Sequence, residues 1–525
     1  MQVQNFCCIK DQALPCEKLT VLVGPNGAGK SSFLRALKIF YSPNAKYTEE
    51  DFYNTDTSKE IIITVTFKDL TEEENTLFKK YVEGEELTVE KVLKHPIGSG
   101  SQKYYGTALQ NPEFDSFRSA FGSSIRVEYN KLREINYQEL PAYSNKNNAG
   151  KTLREWEESN PDRCVRQRDD GQFFGFKEVG ESHLERFTHF IIIPAVRDAS
   201  ADAEEKRGSP LNEIMDLVVR NVLAQKKEIS DLREETKTKY EDILNPENLI
   251  ELKNLERNLT STLKTYVPDS GVKLTWMIGE GIEIPMPKAD IKLLEDNYPS
   301  SVQRTGHGLQ RAFIMTMLQH LAVVQSFSKR DEETIKRPNL IIGIEEPELY
   351  QHPNRQRYLS EIFFNLAQGE IKGVAESTQI MYTTHSPLFV DIKRFDKVRA
   401  LRKIHVDKNL PKQTKVIHTN FDEIAKVIEK ADGKPENTYS GKTLEPRLQS
   451  LMTPWMNEGF FADLAVLVEG EEDRAAILGF AQHLDFNFQS LGISIIPCMG
   501  KNNIDRPVAI FNKLSMSKHP CFSSP

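Results

Sequence analysis

No apolar run in these 525 residues approaches the ~20 needed to cross a bilayer, and the N-terminus lacks the basic, apolar, small-residue order of a signal peptide. A membrane partner is set aside on this reading, and a cytoplasmic location is the expectation. Cysteine is scarce. Cys7, Cys8, Cys16, Cys164, Cys498 and Cys521 show neither C-x-x-C spacing nor the density of a disulfide framework, so reduced thiols are expected. Internal repeats and low-complexity tracts are missing. Positive charge is also in deficit: a formal net charge of −8 argues against a surface that wraps nucleic acid throughout. A local basic track remains open to it. Residues 393–415 offer Lys393, Arg394, Lys397, Arg399, Arg402, Lys403, Lys408, Lys412 and Lys415; the alternative is a hairpin edge whose lysines deter strand pairing. The remaining composition, 39% hydrophobic and 27% charged, is that of a globular protein, with length enough for two to four domains.

Glycine is informative by placement. Gly24-Pro25-Asn26-Gly27-Ala28-Gly29-Lys30-Ser31 fits G-x-x-x-x-G-K-[ST], between the apolar run Leu19–Val23 and a helical pattern starting near Ser32. In that strand-loop-helix context the glycines turn backbone N–H groups onto the α- and β-phosphates. Lys30 reaches the β- and γ-phosphates, and the Ser31 hydroxyl can ligate Mg²⁺. ATP and Mg²⁺ are therefore the expected cofactors, with Gly24 through Ser32 as the cradle.

Three later segments specify the kind of nucleotide protein. Gly306-His307-Gly308-Leu309-Gln310-Arg311 opens an apolar helical stretch; Leu340–Ile344 ends in Glu345-Glu346-Pro347-Glu348; Ile380–Thr383 ends in Thr384-His385-Ser386-Pro387. Two successive carboxylates at the end of a buried strand are costly unless they meet a metal or water, so a site is indicated. Each segment alone has a bland reading: a helix-start turn, an ordinary strand end, a structural histidine. In this order they resemble an ABC-type ATPase head with phosphate loop, signature, Walker B strand and switch histidine. The wording G-x-G-x-Q-R, I-E-E-P-E-x-x-x-H-P and T-T-H-S-P is similar to the OLD (overcoming lysogenization defect) family, whose members join such a head to a Toprim nuclease domain.

The resemblance implies roles. Glu345 would assist Mg²⁺, Glu346 would activate water, and His385 would sense the γ-phosphate. Gly306, Gly308 and Gln310 would complete the nucleotide site of a facing copy, which implies a homodimer or a dimer of dimers. At the C-terminus Leu464–Val468 ends in Glu469-Gly470-Glu471-Glu472-Asp473, and Ile493–Pro497 leads into Gly500-Lys501; both are similar to the first two Toprim strands. Glu469 and Asp473 would hold Mg²⁺, or Mn²⁺ in its place, while Lys501 approaches the scissile phosphate. The expected third-strand Asp-x-Asp is missing, since Ser515–Pro525 contains no acid. A truncated product, a second chain that completes or replaces the nuclease, and a natural loss of cleavage all remain open.

The expected fold is α/β: an ABC/RecF-like phosphate-loop ATPase head with an inserted helical dimerisation region, followed by a partial α/β Toprim domain. The expected divisions are 1–200 and 296–430 for the head, 201–295 for the insertion, 431–459 for a linker and 460–525 for Toprim. Inside the insertion, Leu211, Ile214, Met215, Val218, Val219 and Val222 form one apolar stripe, and Leu252, Leu255, Leu259, Leu263 and Tyr266 a second after Asn245-Pro246. These stripes can serve an intersubunit surface or an intrachain core. Strands are expected at 61–67, 125–129 and 190–194, the last resembling the central ATPase strand, with Arg197 facing either the nucleotide or an ion-pair partner. By resemblance the partner is DNA and the setting antiphage defence; a non-cleaving, ATP-switched sensor that recruits another effector is the other reading.

Overall fold

The structure, a computed structural model, describes residues 1–98, 100–169, 187–195, 250–266, 292–301, 304–306, 339–368, 377–406, 410–448 and 455–514, with isolated positions 184, 235, 239, 270, 309 and 313. The chain divides into two compact units, Met1–Arg197 together with Ser326–Pro525, and Asp198–Gln325. Arg197, the stripe 211–222, Asn245-Pro246 and the tail 515–525 lie outside the described residues.

In the first unit, β1 (Gln2–Phe6) and β2 (Ile9–Ala13) form an antiparallel hairpin that feeds β3 (Leu19–Val23), buried along its whole length. Helix α1 (Lys30–Tyr41) follows the loop and buries Phe33, Leu34, Ala36, Leu37 and Phe40, the three-and-four spacing of one helical face. Between residues 43 and 169 an antiparallel sheet is interleaved with helices. Strands β4 (Ile61–Phe67), β5 (Val82–Glu83), β6 (Glu86–Leu93), β7 (Gln102–Gln110) and β8 (Val165–Arg168) extend the hairpin in the order β2-β1-β4-β6-β7-β8, with β5 on β6. Alternate residues of β7 are buried, as a half-covered sheet requires.

Between β7 and β8, helices α2 (Ser124–Ile135) and α3 (Lys146–Ser159) enclose a separate aromatic core of Phe114, Phe117, Tyr129, Tyr137 and Trp156. The strand expected at 125–129 is thus part of α2. Ile125 and Tyr129, four apart, are buried, whereas Val127, which a strand would place on the same face as both, is 61% exposed.

The later elements of the chain are β9 (Thr188–Ile193), α4 (Ile250–Tyr266), the hairpin strands β10 (Lys292–Glu295) and β11 (Tyr298–Ser301), β12 (Asn339–Glu345), α5 (Pro353–Gln368), β13 (Thr378–Thr383), β14 (Val398–Ile404), β15 (Gln413–Ile417), α6 (Phe421–Ala431), α7 (Gly441–Leu448), β16 (Leu464–Val468), α8 (Glu471–His483), β17 (Ile493–Pro497) and α9 (Asp505–Lys513). A second sheet runs β15-β14-β3-β13-β12-β9, parallel except for β15. The strand expected to be central, β9, therefore ends the described strand path. The expected linker carries α7. In the second unit α4 leaves Leu255 and Leu259 more than 40% exposed, and β10 and β11 pair around Asp296 and Asn297, both at positive φ.

The basic track resolves into the β14–β15 hairpin. Arg399 is 1% exposed and donates to Pro15 O, Asp396 O, Val398 O and Glu17 Oε1. Lys397 also pairs with Glu17, and Arg394 lies 3.5 Å over the Phe364 ring. Burial pushes the Arg402 guanidinium down, with Asp463 offsetting it. Only Lys403, Lys412 and Lys415 are exposed outright among the described cations of this stretch. Arg394, Lys397 and Arg399 tie this stretch to the body of the unit.

A buried lysine closes the far end of α1. Lys91, fully buried on β6, donates to Ile39 O (2.9 Å), to Ser42 O and to the Tyr104 hydroxyl (3.1 Å), satisfying carbonyls that a helix C-terminus leaves free. Lys91→Met keeps most of the volume and takes the buried donor from Ser42 O and the Tyr104 hydroxyl, while Ile39 O keeps its bond from Ser42 N. A loss of about 2–3 kcal/mol in urea unfolding is expected; an unchanged midpoint would mean that water replaces the ammonium.

Candidate functional site

The carboxyl ends of the parallel strands β3, β13 and β12 converge on one edge, where ligands of open α/β sheets bind. Glu345 pairs with Thr383, which pairs with Leu22, so the acid pair after β12 stands two strand spacings, about 10 Å, from the β3 axis. The loop after β3 is shaped by two glycines. Gly24 has φ +151 and a side chain there would meet Leu401 O at 2.3 Å; Gly29 has φ +101 and one would meet Thr414 Oγ1 at 2.8 Å. Thr414 on β15 donates to Ala28 O (2.9 Å), so the basic hairpin also braces the loop. Gly29 caps α1 without a side chain, and no acid occupies the first turn, leaving the positive helix end for an anion.

Lys30 is 6% exposed and donates to Gly24 O (2.8 Å) and Pro25 O (3.2 Å). Burial pushes its ammonium down to about 8, although Glu346 and Glu348 across the edge pull it back up. This donor set fits the phosphates of a nucleotide, which Lys30, the loop amides and Ser31 would hold. Ser31 is exposed at the start of α1, and Glu345 accepts from Ala195 N (3.2 Å) through one carboxylate oxygen.

Glu346 is held in the left-handed region at φ +44, its N–H donating to Thr383 O (3.0 Å) and Oγ1 (3.2 Å). For a non-glycine residue this costs on the order of 1–3 kcal/mol and clusters at functional sites. Glu348, given no role in the sequence reading, accepts from the Thr384 hydroxyl (2.9 Å) and from His385 N (2.6 Å). Burial raises its carboxyl, partly offset by those same bonds. The third acid of E-E-P-E was the available signal for it. His385 is exposed, and Ser386 beside it donates to Gln356 Oε1 on α5 (2.7 Å).

Gly306 lies in the second unit, where Leu309 N donates to its carbonyl (2.9 Å). Gly308 and Gln310 lie outside the described residues.

In the Toprim-like segment β16 and β17 are parallel, Gly500 N donates to Glu469 O (2.8 Å), and Glu469 stands exposed at the strand end. Asp473 spends one oxygen on Gly470 N (3.0 Å), capping α8. No group of three or more His, Cys, Asp or Glu side chains suited to a metal occurs among the described residues. Glu469 and Asp473 alone do not fit a retained metal.

A family model described as an AAA ATPase domain matches residues 1–390, and one described as the Toprim domain of overcoming-lysogenization-defect-like proteins matches residues 460–521. The chain belongs to the OLD family of AAA ATPases. The "OLD nuclease" of Thermus scotoductus is 24% identical over 526 residues, which cover 98% of this chain and 80% of that protein. The "Old nuclease" of Escherichia phage P2 is 25% identical over 63% of this chain, which spans about half (52%) of the phage protein. A solved structure, the SMC head domain from Thermotoga maritima, is 9% identical with a TM-score of 0.30 over 80% of this chain and 97% of that one. The OLD-family chain thus joins an ATPase domain to a Toprim domain, and none of its described helices is long and apolar enough to cross a membrane.

The Lys30 environment gives this OLD-family site a proton signature. At pH 8.5 the free ammonium, with its value near 8, is largely deprotonated, and bound phosphate restores its charge. ATP binding is expected to take up about half a proton or more at pH 8.5 and almost none at pH 6.5, read by calorimetry in buffers of different ionisation enthalpy. Equal enthalpies across buffers at pH 8.5 would remove Lys30 from the phosphate contact.

Proposed function

We propose that this OLD-family chain is an ATP-hydrolysing DNA endonuclease of bacterial antiphage defence, acting in the cytoplasm as a homodimer or dimer of dimers. The observation that supports the ATPase half is the buried Lys30 of the glycine-bounded loop, bonded to Gly24 O and Pro25 O on the same sheet edge as Glu346 and Glu348, whose charges act on it. Gly24 to Ser32 hold the phosphates, and Ser31 and Glu345 would hold Mg²⁺, which when bound offsets phosphate charge. Glu346 takes a proton from the attacking water, and His385 contacts the γ-phosphate. Gly306, Gly308 and Gln310 of a facing copy close the site, and the exposed leucines of α4 supply part of the contact between copies. The division into head (1–200, 296–430), insertion (201–295), linker (431–459) and Toprim (460–525) belongs to the same proposal.

On this reading Lys30→Ala abolishes nucleotide binding, whereas Glu346→Gln binds ATP and lowers turnover by roughly 100-fold or more. Equilibrium binding and single-turnover hydrolysis check the two separately. Parent-like hydrolysis by Glu346→Gln would remove it as the base.

The nuclease half rests on Glu469 at the end of β16. Two-metal cleavage needs acids on both sides of an ion pair about 3.5–4 Å apart, and Asp473 already caps α8. That engagement favours the second reading, a non-cleaving, ATP-switched sensor, for the 525-residue chain by itself. Purified alone it is expected to nick DNA poorly with Mg²⁺ or Mn²⁺. A complementing chain or extension bearing a third-strand Asp-x-Asp should raise nicking at least tenfold, and Glu469→Ala should remove it. Robust cleavage by the chain alone, lost in Glu469→Ala, would show that other acids complete the site.

A further inference from the structure

The turn that carries His385 is held from three directions. Thr384 and His385 bond to Glu348 from the β12 side, and Ser386 bonds to Gln356 from α5. The third hold comes from residues that lead into the Toprim domain. Asn457, in the short 3-10 helix Met456–Phe460, donates through Nδ2 to Pro387 O (3.2 Å) and accepts through Oδ1 from Ile392 N (3.1 Å). Only one orientation of the amide satisfies both partners, so the side chain is keyed to this pair. The 3-10 helix is firmly seated. Met456 and Phe460 are fully buried, the Phe460 and Phe511 rings meet edge to face at 5.3 Å, and a side chain at Gly459 would meet Phe511 at 2.4 Å. Phe511 belongs to α9, which packs on β16. On the other side, Pro387–Phe389 is pinned by Tyr382, whose hydroxyl donates to Phe389 O (2.6 Å). A displacement of the histidine turn that moves Pro387 therefore pulls on Asn457, whose 3-10 helix is packed on the Toprim core.

We propose that Asn457 is a positioning residue for ATP hydrolysis, supplied by the Toprim entry segment, which fixes the His385 turn and transmits its displacement to the Toprim sheet. This rests on the reading of His385 as the γ-phosphate contact. An aspartate at 457 keeps the acceptor for Ile392 N and loses the donor to Pro387 O; a leucine loses both.

The test uses the full chain. Asn457→Asp and Asn457→Leu are expected to lower kcat for ATP by roughly 10- to 100-fold, the scale of an ångström-sized misplacement, with KM within about twofold of the parent. A simple loss of folded protein would scale the rate with the folded fraction, which thermal unfolding measures. Turnover per folded molecule equal to the parent in both variants would overturn the proposal. A second measurement needs no substitution at 457. In the Glu346→Gln protein, ATP should slow amide exchange at 384–392 and at 455–460 together, and ATP-dependent protection confined to 384–392 would also overturn it. Parent-like turnover by His385→Ala would instead defeat the reading of the histidine itself.

Discussion

A lysine ammonium with almost no access to water, its bonds spent on two carbonyls of its own loop, is the constraint around which this ATPase domain is arranged. Burial pushes Lys30 toward its neutral form, and two carboxylates across the sheet edge oppose that shift. Such a cation is poised for exchange. A polyphosphate offers it stronger partners than the carbonyls of Gly24 and Pro25, and accepting them costs little reorganisation because Gly24 and Gly29 already hold the loop open. The elements that position Lys30 are themselves buried or bonded: β3 is buried behind it, Lys91 bonds the end of α1, and Thr414 bonds the loop from β15.

The acidic side of the edge stores strain where the lysine side stores charge. Glu346 occupies a backbone region that non-glycine residues avoid, and it stays there because Thr383 accepts its N–H through both carbonyl and hydroxyl. Glu348 gathers Thr384 and His385 onto the next loop. The ends of β12 and β13 are therefore one hydrogen-bonded body, and Asn457 fastens that body to the Toprim entry. Three polar side chains at a strand end, Thr383, Thr384 and Ser386, thus bond within this network.

Much of this was legible in the sequence where chemistry narrows the choice of residue. Only glycine tolerates the conformations at 24 and 29, a lysine at the start of α1 reaches back to the loop carbonyls, and paired acids stop a strand at the same sheet edge. The parallel strands β3, β12 and β13 were readable as short apolar runs that stop at those residues. Between residues 43 and 169 only the strand at 61–67 was, because the other half-buried strands alternate with polar positions and α2 presents Ile125, Val127 and Tyr129 in an order that suits a strand equally well. The basic stretch misled for another reason. The partner of Arg399 is Glu17, 382 residues away in sequence, and no local pattern reveals it. Glu348 and Asn457 were missed because their worth lies in backbone groups they hold, which sequence does not display.

The most direct test of the account is a structure of the full chain with a non-hydrolysable ATP analogue and Mg²⁺. Lys30 Nζ should leave the carbonyls of Gly24 and Pro25 for the β- and γ-phosphate oxygens while Gly24 and Gly29 keep their positive φ, Ser31 Oγ should face the ion, and Glu346 should face the γ-phosphate. Nucleotide bound elsewhere, or Lys30 still bonded to its own loop beneath bound nucleotide, would contradict the account.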